Sequence, residues 1–171
     1  MTTRLFFPVK LVEPSTIASD ANFIADDPDG LVFAVISCSA FIGWQKAVGG
    51  RIKSDLRFNK LQTWNTFPLP ELIDDQRAAI IAGGRAVLAA RALRPDRSLA
   101  DHYNPLAMAP ELIRAHRELD AAVDKALGLK GHVPEDSRLK ALFSNYAKLT
   151  TIDELAMPTA RTRKQRAKAP V

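Results

Sequence analysis

The sequence predicts an α+β fold in three parts: a small mixed α/β portion over residues 1–70, a three-helix antiparallel bundle over 71–150, and a disordered basic tail over 151–171. Three observations carry this. Before Pro70, short runs rich in Phe, Val and Ile flank one long apolar run, the pattern of strands beside a buried helix. Pro68 and Pro70 then stop regular structure, because neither can donate to a sheet ladder. After them apolar residues recur every three or four positions, as on one face of a helix, until Thr151, where that period is lost.

Taken in order, Leu5 to Val12 reads as a strand, with Pro8 marking an edge or bulge. Ser15 to Asp29 is a polar connection holding a short extended piece, Asn22-Phe23-Ile24, and closing on the turn signal Asp27-Pro28-Asp29-Gly30. Leu31 to Val48 is apolar nearly all round, so as a helix it must be buried, and Gly49-Gly50 supplies a left-handed cap. Gly49 to Phe58 reads as a charged strand, and Leu61 to Phe67 as a second strand anchored by Trp64.

Asp74 and Asp75 suit the start of a helix running to about Leu93. Ile73, Ile80, Ile81, Gly84, Val87 and Leu88 form its stripe, and Gly83-Gly84 weakens the middle by roughly 1 kcal/mol each while admitting a close backbone neighbour. Ser98 to Ala109 is a loop or short turn, and Pro110 fits the first turn of the next helix. That helix carries Leu112, His116, Leu119, Val123 and Leu127 inward and ends at Gly128. A last helix spans Glu135 to about Leu149, with Leu139, Leu142, Phe143 and Tyr146 inward, and the three helices form the bundle.

Composition sets outer bounds. With 171 residues and 47% hydrophobic content the chain can bury a core. The longest uncharged run, Gly30 to Gln45, is shorter than the roughly 20 residues that cross a bilayer, so no membrane partner is expected. Pro8 and Lys10 interrupt any signal-peptide core. The single Cys38 excludes an intrachain disulfide and a cysteine-based zinc cluster, which fits a cytoplasmic protein.

Charge is unevenly placed. From Lys46 to Lys60 five basic residues, Lys46, Arg51, Lys53, Arg57 and Lys60, face one acid, Asp55, a local charge of +4, whereas residues 1–45 carry −3. In a strand, Arg51, Lys53, Asp55 and Arg57 would share one face and Ile52, Leu56 and Phe58 the other. The plain alternative is the solvated face of a half-buried sheet. The focused positive charge favours phosphate, and a lysine beside an aspartate can read a base pair, the lysine donating to guanine and the aspartate accepting from the paired cytosine.

Catalytic and metal chemistry find little support. His102, His116 and His132 are scattered without the i, i+4 spacing of a helical metal pair, and His116 faces Asp120 one turn on, as a structural pair would. Asn104-Pro105-Leu106-Ala107 faintly resembles the Asn-Pro-Pro-aromatic motif of amino methyltransferases, but it lacks the stacking aromatic ring and lies between helices. No phosphate-binding glycine loop follows a strand, and no nucleophile has a histidine partner. The residues expect no catalytic, cofactor-binding or metal site.

Longer runs carry a resemblance. Ser37-Cys38-Ser39-Ala40-Phe41-Ile42-Gly43-Trp44, then Val48-Gly49-Gly50-Arg51-Ile52-Lys53-Ser54-Asp55-Leu56-Arg57-Phe58, then Trp64-Asn65-Thr66-Phe67-Pro68-Leu69-Pro70 resemble the end of the target recognition domain of type IIL, MmeI-like restriction-modification enzymes. Downstream, Ser98-Leu99-Ala100-Asp101 with Tyr103-Asn104-Pro105, Met108 with Pro110-Glu111-Leu112, Ala115-His116 with Leu119-Asp120 and Val123-Asp124, and Arg138 with Leu142-Phe143 and Tyr146 resemble that family's helical C-terminal domain. The match covers about residues 4 to 149.

The resemblance implies that Lys53 and Asp55, flanking Ser54, help specify one base pair with a guanine preference, and that Arg51 and Arg57 are phosphate or framework contacts. Lys46, Lys60 and Ser54 join that framework. It further implies a C-terminal fragment whose parent enzymes hold S-adenosyl-L-methionine, magnesium and the catalytic motifs upstream. The expected partner is double-stranded DNA, reached through the major groove. A second reading is an interaction module docking onto a separate methyltransferase or nuclease subunit, and the least favoured is an enzyme in its own right.

Overall fold

The computed structural model describes residues 5–19, 22–53 and 55–156. In chain order these form α1 (Leu31–Ser37), α2 (Ser39–Val48), β1 (Gly50–Ile52), β2 (Asp55–Arg57), α3 (Asp74–Ala92), α4 (Leu99–His102), α5 (Pro110–Ala126) and α6 (Glu135–Ala156), with one π-type turn at Lys60–Trp64 between β2 and α3. Mostly helical with a small antiparallel sheet, the architecture is α+β.

Residues 5–19 run without regular structure, so the expected strand at Leu5–Val12 is absent. Among the described residues the only sheet is β1–β2, which leaves this segment no ladder to join. Side chains hold it instead. Phe6 stacks on His116 with ring centroids 3.8 Å apart, Phe7 meets Phe41 edge-on at 5.5 Å, and Arg91 Nη1 donates to the Val9 carbonyl at 2.9 Å.

The turn at 27–30 begins α1 as expected. Asp27 accepts from the backbone N–H groups of Gly30, Val32 and Phe33, and Gly30 takes the left-handed conformation at φ 93°. The predicted single helix over 31–48 is broken at Cys38, where α1 and α2 meet at a 64° bend. Cys38 is extended, with ψ 157°, and the cause lies in α5. Asp120 accepts from Ser39 N at 2.7 Å and from Ser39 Oγ at 2.5 Å, so a carboxylate sits at the α2 N-terminus, where the unpaired N–H groups and the helix dipole favour it.

Gly49 does not form the expected left-handed cap, since its φ is −75° and ψ 154°. The expected strand at 61–67 is also absent. Asn59 Oδ1 accepts from Leu61 N at 2.9 Å, and Asn65 N donates to the Lys60 carbonyl at 2.9 Å, closing a π turn. A side-chain cap therefore wins over β propensity.

The glycines of α3 act as expected. A Cβ on Gly83 would lie 2.9 Å from Leu119 Cα, and one on Gly84 would lie 2.7 Å from Ala34 Cβ. The helix thus meets α5 through one glycine and α1 through the next. Pro110 starts α5, and Gly128, at φ 78°, follows its end. The last helix is longer than predicted and reaches Ala156, because residues 151–156 continue it; the rest of the expected basic tail lies outside the described residues.

The bundle is not the predicted one. α3 packs chiefly on α5, while α6 packs chiefly on α2. Trp44 of α2 lies under Phe143 at 5.0 Å and Tyr146 at 5.8 Å, and Arg138 holds Asp124 of α5 through two bonds of 2.6 and 2.7 Å. One core results, joining Phe33, Phe41 and Trp44 with Ile80, Leu112, Leu119 and Leu142 across the proline-rich link. No single described helix is long and apolar enough to cross a membrane.

His116 and Asp120 are not paired. With Asp120 committed to Ser39, His116 Nε2 meets the Tyr103 hydroxyl at 2.9 Å, and Arg91 donates to that same hydroxyl through Nε at 3.0 Å. Burial, then the Arg91 charge, push His116 down to about 3, against a smaller opposing pull from the Ser37 backbone.

Candidate nucleic-acid interface

The charged run is a hairpin. β1 and β2 pair antiparallel, with Gly50 opposite Arg57, Arg51 opposite Leu56 and Ile52 opposite Asp55. Directly opposed residues project from the same face, so Arg51 shares a face with Leu56, while Asp55 and Arg57, which alternate with Leu56, project from the other. The predicted one-face stripe of Arg51, Lys53, Asp55 and Arg57 is therefore corrected to a ribbon charged on both faces and at its tip.

Lys53 makes the turn possible at a cost. Its φ is 56°, a left-handed conformation that a residue bearing a Cβ holds at about 1 kcal/mol or more. Lys53 and Asp55 consequently flank the tip, with Ser54 between them outside the described residues. Arg51, Lys53, Asp55, Arg57 and Lys60 are all exposed. Among the described residues none of these five forms an ion pair. Lys46 differs: it reaches Glu135 of α6 at 3.2 Å, so its charge is already compensated and it leaves the free basic patch.

The ribbon is rooted in aromatic packing. Phe58, just after β2, meets Phe23 at 4.9 Å, Phe7 at 5.4 Å and Phe41 at 6.4 Å. Trp44 Nε1 donates to Thr66 Oγ1 at 3.2 Å and joins the segment after the hairpin to α2. Gln45 of α2, fully buried, donates from Nε2 to the Arg57 carbonyl at 3.0 Å. Sequence reasoning missed Gln45, although an amide at the end of a long apolar run was a signal for a buried polar contact.

Elsewhere, a cavity of about 490 Å³ lies between the N-terminal segment and α4, lined in part by Phe6, Asp101, Tyr103, Asn104 and Pro105. Its polar groups are already engaged: Asp101 Oδ2 accepts from Ser98 N at 3.1 Å and from Ser98 Oγ at 2.6 Å, the Tyr103 hydroxyl meets Arg91 and His116, and Asn104 Oδ1 accepts from Leu106 N at 3.1 Å. Among the described residues no cluster of three His, Cys, Asp or Glu is placed to hold a metal.

The chain presents an exposed, charged two-stranded ribbon on a helical base. Two family models match it almost end to end: MmeI, target recognition domain, over residues 2–71, and MmeI, C-terminal domain, over residues 72–158. The chain belongs to the MmeI family and carries these two domains. It is 32% identical over 149 residues to DNA methyltransferase A of Bacillus subtilis (strain 168), covering 86% of this chain and 17% of that protein. The structure of the type IIL restriction-modification enzyme MmeI in complex with DNA superposes with a TM-score of 0.82 at 36% identity, covering 86% of this chain and 20% of that one. The chain thus spans about a fifth of the length of these relatives.

Proposed function

We propose that this chain contributes sequence reading of duplex DNA, with the hairpin tip entering the major groove and Lys53 and Asp55 contacting one base pair. The observation that carries the reading is the placement of both residues, exposed and without ion-pair partners among the described residues, at the tip of a basic ribbon. A two-stranded ribbon fits the major groove, where lysine donates to guanine O6 and N7 and aspartate accepts from cytosine N4. Arg51, Arg57 and Lys60 would hold phosphates and fix the register, with Ser54 as framework between the reading pair.

The test is selection of the purified chain on a randomised duplex pool across a salt series. Enrichment of guanine at one position should fall when Lys53 and Asp55 are exchanged, by about 1 to 3 kcal/mol of discrimination. Replacing Arg51 or Arg57 should lower the salt slope by about 0.9 for each phosphate no longer neutralised, with little change in preference. Equal weakening of affinity for every sequence in the Lys53 and Asp55 exchange would make them phosphate-binding residues and refute base reading.

We assign methyl transfer and cleavage, and with them S-adenosyl-L-methionine and magnesium, to the roughly four-fifths of the relatives' length that this chain does not span. We read the isolated chain as non-catalytic and cytoplasmic; incorporation of labelled methyl groups into DNA by it would overturn the first point. A second reading, docking onto a methyltransferase or nuclease subunit, is favoured by apolar side chains left in solvent, among them Ile17 at 97%, Leu61 at 70% and Phe23 at 65% exposure. Co-purification with such a subunit would support it.

A further inference from the structure

We propose that Gln45 is the positioning residue for the reading hairpin, holding Lys53 and Asp55 in register with the groove from the base of the ribbon. This rests on the hairpin reading above. Three observations meet at the junction of α2 and β1. Gln45 is fully buried, an unusual position for an amide, and its Nε2 donates to the Arg57 carbonyl at 3.0 Å. Arg57 is opposite Gly50 at the open end of the hairpin, so this bond ties the ribbon's base to a rigid helix. Gly49 makes the approach possible, because a Cβ there would overlap the Gln45 side-chain amide and lie 2.5 Å from the Gln45 carbonyl oxygen.

The need for such a tether follows from the size of the ribbon. Two strands of three residues are marginal alone, and Lys53 adds strain at the turn. Phe58 anchors the exit of β2 by apolar contact, which is not directional. The Gln45 bond is directional and fixes where the Arg57 carbonyl sits. Gln45 Oε1 has no hydrogen-bond partner in the described structure, so one of the two polar atoms of this buried amide is left unpaired. A fold that needed only filled volume there would be served as well by methionine.

Gln45→Met keeps the volume and removes the donor. In the full chain the tether predicts that base discrimination at the hairpin's position falls at least fivefold while salt-dependent, sequence-independent affinity changes less than twofold. Backbone amide exchange in Gly50–Arg57 should accelerate at least tenfold without DNA, with α3 and α5 unchanged. A global unfolding effect would instead accelerate exchange in all three together, and that result overturns the proposal. Undiminished discrimination by Gln45→Met, in a pool where the parent chain selects, overturns it as well. If the parent chain itself selects no sequence, the functional reading fails and the positioning role falls with it, whereas the exchange data still report whether the tether exists.

Discussion

Gly84→Ala tests the packing that places the recognition half on the helical half. On an isolated helix the substitution would stabilise by about 1 kcal/mol, because alanine loses less backbone entropy. Here the new Cβ would lie 2.7 Å from Ala34 Cβ and 3.1 Å from Ala34 Cα. Carbon atoms prefer about 3.5 to 4.0 Å, so α1 and α3 must separate by roughly 1 Å. Overpacking of this kind costs about 1 to 3 kcal/mol, and here the second neighbour is backbone, which cannot rotate away. The upper part of that range applies, leaving a net loss of about 1 to 2 kcal/mol. Urea unfolding reads it as a midpoint lowered by about 0.5 to 1 M at an unchanged slope near 2 kcal/mol/M. In an Ala34→Gly background the same change should cost much less, since the nearest atom is gone. A raised midpoint in the parent background would show that α1 is not seated against Gly84.

Two further outcomes follow from buried polar groups. Asp120→Ala should lower stability by about 1 to 2 kcal/mol, because the α2 N-terminus loses the acceptor for Ser39 N and Oγ, and Asp120→Asn should recover at least half of this by the same urea titration. For His116, the folded ring has its proton affinity depressed to about 3 while the unfolded ring titrates near 6.5, so between these values the unfolded state binds more protons. Stability is then fully present above about pH 6.5 and falls as pH is lowered, by about 2 kcal/mol at pH 5, and His116→Phe should remove most of that slope. Asp120, whose carboxyl is raised by burial, acts in the opposite direction, so the histidine's share is read as the difference in slope between the parent chain and His116→Phe.

What the sequence revealed and what it hid divide by the range of the interaction that decides each element. The apolar stripes of α3 and α5 and the close-approach role of Gly83-Gly84 are local patterns, and the structure has them apart from Ile73, which precedes α3 and is 65% exposed. The break at Cys38 is decided by Asp120, more than eighty positions away. The π turn after Asn59 could have been read locally, since asparagine is a favoured capping residue, but the aromatic and β-branched residues that follow suggested a strand. Alternation misled most at 51–57, where the period of two continues in sequence while the chain reverses direction. Glycine or asparagine normally announces such a turn, and Lys53 carries it instead. The charge of the residues proposed for the interface was therefore legible in the sequence, and their arrangement on a hairpin was not.

That turn residue also suggests why a reading site would be built this way. Lys53 and Asp55 are exposed, and their chain neighbours Arg51 and Arg57 are exposed too, so exchanging the tip disturbs little of the core. Surface changes of this sort usually alter stability by no more than about 0.5 kcal/mol. Placement is set elsewhere, by Phe58 in its aromatic cluster, by Gln45 at the Arg57 carbonyl, and by Trp44 under α6. A straight strand with four charges on one face would tie recognition to the sheet's register, and a one-residue slip would turn every reader away from the groove. A short hairpin rooted at its open end separates the two tasks. On the proposed reading, the base would fix where the tip lies, and the tip residues would set which base pair is preferred there.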